Sequence, residues 1–295
     1  EIEAVTKFRT QAVDAAAAME KRLSERFNGA VRDALGNLNP MGLYRQAQDY
    51  AKMLLEFFQT GTLVKDANTG LWRADSAQGV APPTKVYDLI TAWSQKNGYT
   101  FERGEQIASR ILEGKRLHEM RESNRTQGTE FLLHLKDPEI NTLKAAYDAD
   151  PDLQAMSKAM DESRIELVNH MEAVGRLSAE QAKAWREVAG YVPFDRIDDF
   201  SEKFSKVKRV SGKGIAQVGK LPELVGSINR PVGNVFENYL NTLGWMVRQI
   251  TNTDATVTTL RVLENMGKAK FLGNSTQFKS NTVGAYVNGE MKYWE

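Results

Sequence analysis

Apolar residues recur at three- and four-residue steps through most of the chain, the spacing that lines up one face of a helix. The first such run is Val5, Phe8, Ala12, Ala16, Met19, Leu23, Phe27 and Val31, with Lys7, Arg9, Asp14, Glu20, Lys21 and Glu25 falling largely elsewhere. It predicts an amphipathic helix ended by Gly36-Asn37. At ~1.5 Å per residue it is about 50 Å long, a length suited to a rod or arm packed along other helices. Asn39-Pro40 supplies a cap and a first turn for the next helix, which carries Leu43, Tyr44, Ala47, Tyr50, Ala51, Leu54, Leu55 and Phe58 and closes at Gly61. The period then changes. Thr62–Lys65 and Leu71–Ala74 flank the turn-forming run Asp66–Gly70 and predict a β-hairpin, too small to stand alone and therefore packed on the helices.

Pro82-Pro83-Thr84 resets the chain, and Val86, Leu89, Ile90 and Trp93 begin a helix that ends near Gly98. Helical spacing returns from Thr100 to about Lys136, with breaks expected at Gly104, Gly114 and Gly128. Asp137-Pro138 starts a short helix, and Asp150-Pro151 starts a longer one carrying Leu153, Met156, Met160, Leu167, Val168 and Met171. Ser178-Ala179-Glu180-Gln181 is a capping-box sequence that opens a helix to about Val188. After Pro231 a helical stripe returns at Val235, Phe236, Tyr239, Leu240, Leu243, Val247 and Ile250, extended by Leu260 and Leu263. The last residues alternate around Asn288-Gly289, the strongest short hairpin signal. The chain stops inside the returning strand, so it is expected to be a piece of a longer polypeptide.

The pattern therefore predicts a mainly α fold, an elongated multi-helix assembly with small β-hairpins at about 62–74 and 283–294. Three regions are expected. Residues 1–189 form a helical domain with one hairpin, 190–231 an extended basic Gly-rich linker, and 232–295 amphipathic helices with an incomplete hairpin.

Charge sharpens the middle region. The chain as a whole has a formal net charge of +1, with 39 basic and 38 acidic residues. Residues 201–231 alone carry Lys203, Lys206, Lys208, Arg209, Lys213, Lys220 and Arg230 against Glu202 and Glu223, a net +5 that leaves −4 for the rest. These cations alternate with Gly and Val, and only Phe204 offers a stacking ring. Such a segment suits nonspecific, salt-sensitive contact with phosphates or an acidic surface, not base reading. The candidate anion-contact residues are Lys203, Lys206, Lys208, Arg209, Lys213 and Lys220.

Composition removes several chemistries. The chain has no cysteine, which excludes disulfides, thiolate metal sites and a Cys nucleophile, and only three histidines, which disfavours a His-rich zinc site. No apolar run approaches the ~20 residues of a membrane helix, and the N-terminus does not resemble a signal peptide. The amphipathic helices are read as core-forming, with membrane contact the lesser alternative. Gly214–Lys220 has phosphate-loop spacing, but Leu221 and Pro222 follow where a hydroxyl and a helix are needed. His118-Glu119-Met120-Arg121-Glu122 lacks the second histidine of a zinc-protease helix. Asp148, Asp150 and Asp152 lack the glycine and terminal glutamate of a calcium loop and are read as a helix-capping turn. No catalytic residue, cofactor or metal is expected.

Three further segments carry a resemblance. Gly190-Tyr191-Val192-Pro193-Phe194-Asp195-Arg196 is similar to a Gly-Tyr-Val-Pro-aromatic-x-Arg element. Ser227–Asn238, containing Arg230-Pro231 and Glu237-Asn238, looks like an Arg-Pro-x-x-(Asn/Asp)-Pro-(Ile/Leu)-Glu-Asn helix start and leads into Leu243–Ile250. Asn288–Trp294 is the third. Together, over about residues 175–295, they resemble a segment of the large polyvalent proteins of phages and mobile elements, giant chains packaged or injected with DNA. Asn229 and Val235 depart from that pattern, where a small serine-type residue and a proline are usual. The resemblance implies a non-catalytic module of a virion-associated internal or ejection protein, located in the virion and then in the host cell. It implies partners among other virion proteins or further copies of the chain, with nonspecific DNA contact. Tyr191, Pro193, Arg196, Arg230, Pro231, Glu237 and Asn238 are the structural positions of its motifs. The rival expectation is an accessory region of a virion enzyme, an RNA polymerase or a peptidoglycan-cleaving ejection protein, whose active site lies outside this chain.

Overall fold

The computed structural model describes residues 40–76, 79–127, 135–187, 234–274 and 281–295. The amphipathic run ending at Gly36, the glycine at 128 and all of 190–231 lie outside these residues. Among the described residues the chain is mainly helical, 69% of it in eight helices, with small antiparallel sheets. Both expected hairpins form.

The first helices are α1 (Pro40–Gln48) and α2 (Tyr50–Thr60). Gly61 ends α2 in the left-handed conformation (φ 84°), its N–H donating to the Phe57 carbonyl at 2.8 Å. A side chain there would collide with the backbone at Val80 and Ala81, where a Cβ would lie 2.7 Å and 2.9 Å from the two carbonyl oxygens. Strands β1 (Leu63–Lys65) and β2 (Trp72–Ala74) pair antiparallel, Val64 opposite Arg73. Asp66 shapes the turn between them by accepting from the Asn68 and Thr69 N–H groups at 2.9 and 2.8 Å.

Helices α3 (Thr84–Lys96), α4 (Phe101–Gln127), α5 (Asp137–Ala149), α6 (Pro151–Ala173) and α7 (Ala179–Glu187) follow. The expected breaks at Gly104 and Gly114 do not occur: α4 runs through both. Their role is close approach instead. A Cβ on Gly104 would lie 1.8 Å from Ser94 Oγ of α3, and one on Gly114 would lie 2.2 Å from Leu143 Cβ of α5. The aspartates at 148–152 do cap a helix, Asp150 Oδ1 accepting from the Asp152 and Leu153 N–H groups at 2.9 and 3.4 Å. The capping box also forms: Ser178 Oγ accepts from Gln181 N–H at 3.1 Å and Gln181 Oε1 from Ser178 N–H at 3.0 Å.

Helix α8 (Val235–Asn265) begins at Asn234, whose side chain accepts from the Phe236 and Glu237 N–H groups. Ser109 Oγ of α4 takes the Val235 N–H at 2.9 Å. This helix packs against α1, α2, α4 and α6, so Val235, Phe236, Leu243, Met246, Val247 and Ile250 join one apolar core with Phe57, Ile90, Leu112, Met156 and Leu167. At its far end β3 (Phe271–Gly273), β4 (Val283–Val287) and β5 (Glu290–Trp294) form an antiparallel sheet in the order β3-β5-β4. Strand β3, which the sequence pattern did not predict, adds to the expected hairpin. Asn288 and Gly289 turn it with φ of 51° and 77°, the two positive values a two-residue hairpin turn demands. A second, smaller apolar cluster of Val257, Leu260, Ala285 and Trp294 joins this sheet to α8.

Candidate functional site

The chemistry-bearing side chains gather on one stretch of α8. From Gln249 to Thr258 the helix buries Gln249, Thr251, Asn252, Thr253, Asp254, Thr256 and Thr258 within an otherwise apolar setting. Buried polar groups need partners, and this belt finds them on elements distant in sequence.

Asp254, 7% exposed, is the centre of the larger group. Lys65 Nζ of β1 reaches both its carboxylate oxygens at 2.8 Å, and the Trp72 indole N–H of β2 donates to Oδ2 at 2.9 Å. Trp72 is itself held by Gln46 of α1, whose Oε1 accepts from the Trp72 backbone N–H at 2.9 Å and whose Nε2 donates to its carbonyl at 2.5 Å. The amide thus pairs with the open edge of β2 as a neighbouring strand would. Below Trp72, the His170 ring stands edge-on at 5.3 Å. His170 Nε2 lies 3.2 Å from Glu166 Oε1, an ion pair when the imidazole is protonated, though outside hydrogen-bond alignment. The Thr62 hydroxyl also donates to Glu166. His170 and Thr62 hold the Glu166 carboxyl below the usual glutamate range, against the opposing effect of burial.

A second group sits at the corner between α6 and α7. Arg176, 2% exposed, donates through Nε to Gln249 Oε1 at 3.0 Å, and its guanidinium stacks 3.7 Å above the Tyr286 ring of β4. Burial pulls the Arg176 guanidinium down from its ordinary value, with Tyr286 opposing.

A third lies where α3, α4 and α8 meet. Glu105 is pushed up from the ordinary glutamate range, first by burial, then by the Glu237 carboxylate. Burial, with Glu105 and Glu237 nearby, pushes the Tyr87 phenol up to about 12. Two of the residues that carry the resemblance drawn from the sequence lie among those described. Glu237 is exposed beside Glu105, while Asn238 next to it is 5% exposed and turned inward. The other motif positions (Tyr191, Pro193, Arg196, Arg230, Pro231) and the cations Lys203, Lys206, Lys208, Arg209, Lys213 and Lys220 lie outside the described residues.

The His118–Glu122 run has a structural use. Glu119 takes Lys115 at 2.9 Å and Arg116 at 3.5 Å, and Arg121 reaches Asp137 at 3.3 Å and Asn141 at 2.7 Å, joining α4 to α5. Among the described residues no group of three or more His, Asp or Glu side chains is placed to hold a metal ion. Among them, too, no helix is long and apolar enough to cross a membrane.

Sequence reasoning missed Asp254, Lys65, Trp72, Glu166, His170 and Arg176. The one available signal was the run from Gln249 to Thr258, unusually rich in Thr and Asn for a helix whose flanks are apolar. No family model matches the chain, and neither a curated protein nor a solved structure is significantly similar to it.

Proposed function

We propose that this chain is a non-catalytic structural and interaction module of a large phage virion-associated protein, of the internal or ejection kind, carried with the genome into the host cell. The resemblance of residues 175–295 supplies the biological setting. The observation that carries the non-catalytic part is the polar belt of α8. Asp254, Lys65, Trp72 and Gln46 bond to one another and tie α8, the first hairpin and α1 together, the use expected of a scaffold. Its partners are other virion proteins or further copies of itself. The Lys203–Lys220 cations, net-basic and poor in aromatics, supply nonspecific contact with DNA phosphates.

Two assays on the purified chain test this. Incubated with peptidoglycan, or with nucleotides and a nucleic-acid template, it releases no fragments and incorporates no nucleotide; turnover in either assay overturns the non-catalytic reading in favour of a virion enzyme. In gel shifts, binding weakens steeply with salt, and neutralising Lys206, Lys208 and Arg209 together lowers the slope of log K against log salt by roughly 2–3. Binding that ignores salt, or survives those substitutions unchanged, removes DNA contact from the account.

A further inference from the structure

We infer that the β3–β5 sheet is a flap that opens from α8 as a unit while the main helical core stays folded. Four observations meet at this seam. First, the sheet has its own small apolar cluster of Val257, Leu260, Ala285 and Trp294, separate from the main core. Second, the contacts beyond that cluster are polar: Arg176 against Tyr286, the Gly289 N–H donating to the Gly175 carbonyl at 3.1 Å, and the Trp294 indole N–H donating to Glu264 Oε2 at 3.2 Å. Third, the closed state leaves polar atoms without partners. Gln249 Nε2 and Thr253 Oγ1 are buried with no hydrogen-bond partner, in residues 1% and 0% exposed. Gln249, Thr253, Val257 and Leu260 follow one another at helical spacing, so these two polar side chains lie on the same side of α8 as the residues that meet the sheet. Opening hydrates both, which offsets part of the apolar area lost.

Fourth, the flap is tethered and seated in a way that suits docking as one body. It is joined to α8 through Gly267 in the left-handed conformation (φ 65°), with nothing within 4 Å of where its Cβ would lie. Its turn fits the capping box of α7 only because Gly289 has no side chain: a Cβ there would sit 2.1 Å from Gln181 Oε1 and 2.5 Å from Ser178 N. Arg176 is the latch. It stands at the α6–α7 corner, touches α8 through Gln249 and touches the flap through Tyr286, so it connects all three bodies.

The absence of native cysteine makes thiol labelling a direct test. Single variants Ala285→Cys in the flap and Ala108→Cys in the main core place a thiol at positions that are both fully buried. Without denaturant, the thiol at 285 is expected to react at least ~10-fold faster than that at 108, and with weaker denaturant dependence, as sub-global opening requires. Adding Arg176→Met speeds labelling at 285, whose denaturant dependence stays weaker than that at 108. Equal rates with equal denaturant dependence show that only global unfolding exposes the sheet and overturn the flap; no effect of Arg176→Met overturns the latch. Hydrogen exchange of the unmodified chain checks the same point without substitution. Amides of 283–294 exchange through smaller openings than those of α6 if the flap exists, and through the same opening if it does not.

Discussion

Glu166 and Glu105 are both partly buried glutamates, yet their surroundings drive them in opposite directions. Glu166 faces His170 and Thr62, which favour its charged form, so its folded value is depressed. Its stabilising contribution is present above the unfolded glutamate value and is lost as pH falls through the depressed folded one. Glu105 has burial and the Glu237 carboxylate against it, so its folded value is raised. It favours the folded state at low pH, and that contribution is lost as pH rises through the raised folded value. Glu166→Gln is therefore expected to lower stability near neutral pH and to flatten the loss of stability in acid. Glu105→Gln is expected to raise stability near neutral pH. Urea unfolding of both variants at several pH values measures this, and shifts of the same sign at neutral pH contradict the assignment. The Glu105 environment could not be read from the sequence, because burial and Glu237 of α8 set it; for Glu166 the i,i+4 partner His170 stands in the same helix, and only Thr62 and the burial come from elsewhere.

At the scale of elements, helix α4 shows what glycine does when a helix does not break. By propensity alone, Gly114→Ala in mid-helix gains about 1 kcal/mol. Here the added methyl falls 2.2 Å from Leu143 Cβ, an atom fixed to the α5 backbone, so the two helices must separate. Overpacking of this kind costs ~1–3 kcal/mol, and the variant is expected to melt below the parent. A higher melting temperature shows that α4 and α5 are less closely packed than described. Helix ends and the last hairpin turn were legible because their signals are local: Asp150-Pro151, Ser178–Gln181 and Gly61 for helices and Asn288-Gly289 for the hairpin each act within a few residues. The glycines of α4 were not, since the same residue reads as a break or as a close contact depending on a partner helix. Strand β3 escaped notice for a similar reason. Three residues carry too little period to be seen, and Phe271 forms a strand because Trp294 lies opposite it.

For the whole molecule, the organising element is α8, which gathers α1, α2, α4, α6 and the last sheet around one axis. Its apolar stripe was readable as a helix, while the placing of its polar residues was not. They are buried, because partners arrive from far along the chain: Lys65 lies 189 positions from Asp254, and Arg176 lies 73 from Gln249. Periodicity reports which residues share a face. It carries no word of what covers that face.

The central claim is that the buried polar belt of α8 serves architecture. Residues kept for chemistry commonly cost stability, so removing them stabilises the fold; residues that join elements do the reverse. Thermal denaturation of Asp254→Ala separates the two most directly. Loss of the carboxylate leaves the buried Trp72 indole N–H without its acceptor, while Lys65, whose side chain is 36% exposed, can turn to water. The expected penalty is about 1–3 kcal/mol, a fall in melting temperature of roughly 3–10 °C. An unchanged or higher melting temperature would contradict the account and point to Asp254 as a group held in place for a reaction or a ligand.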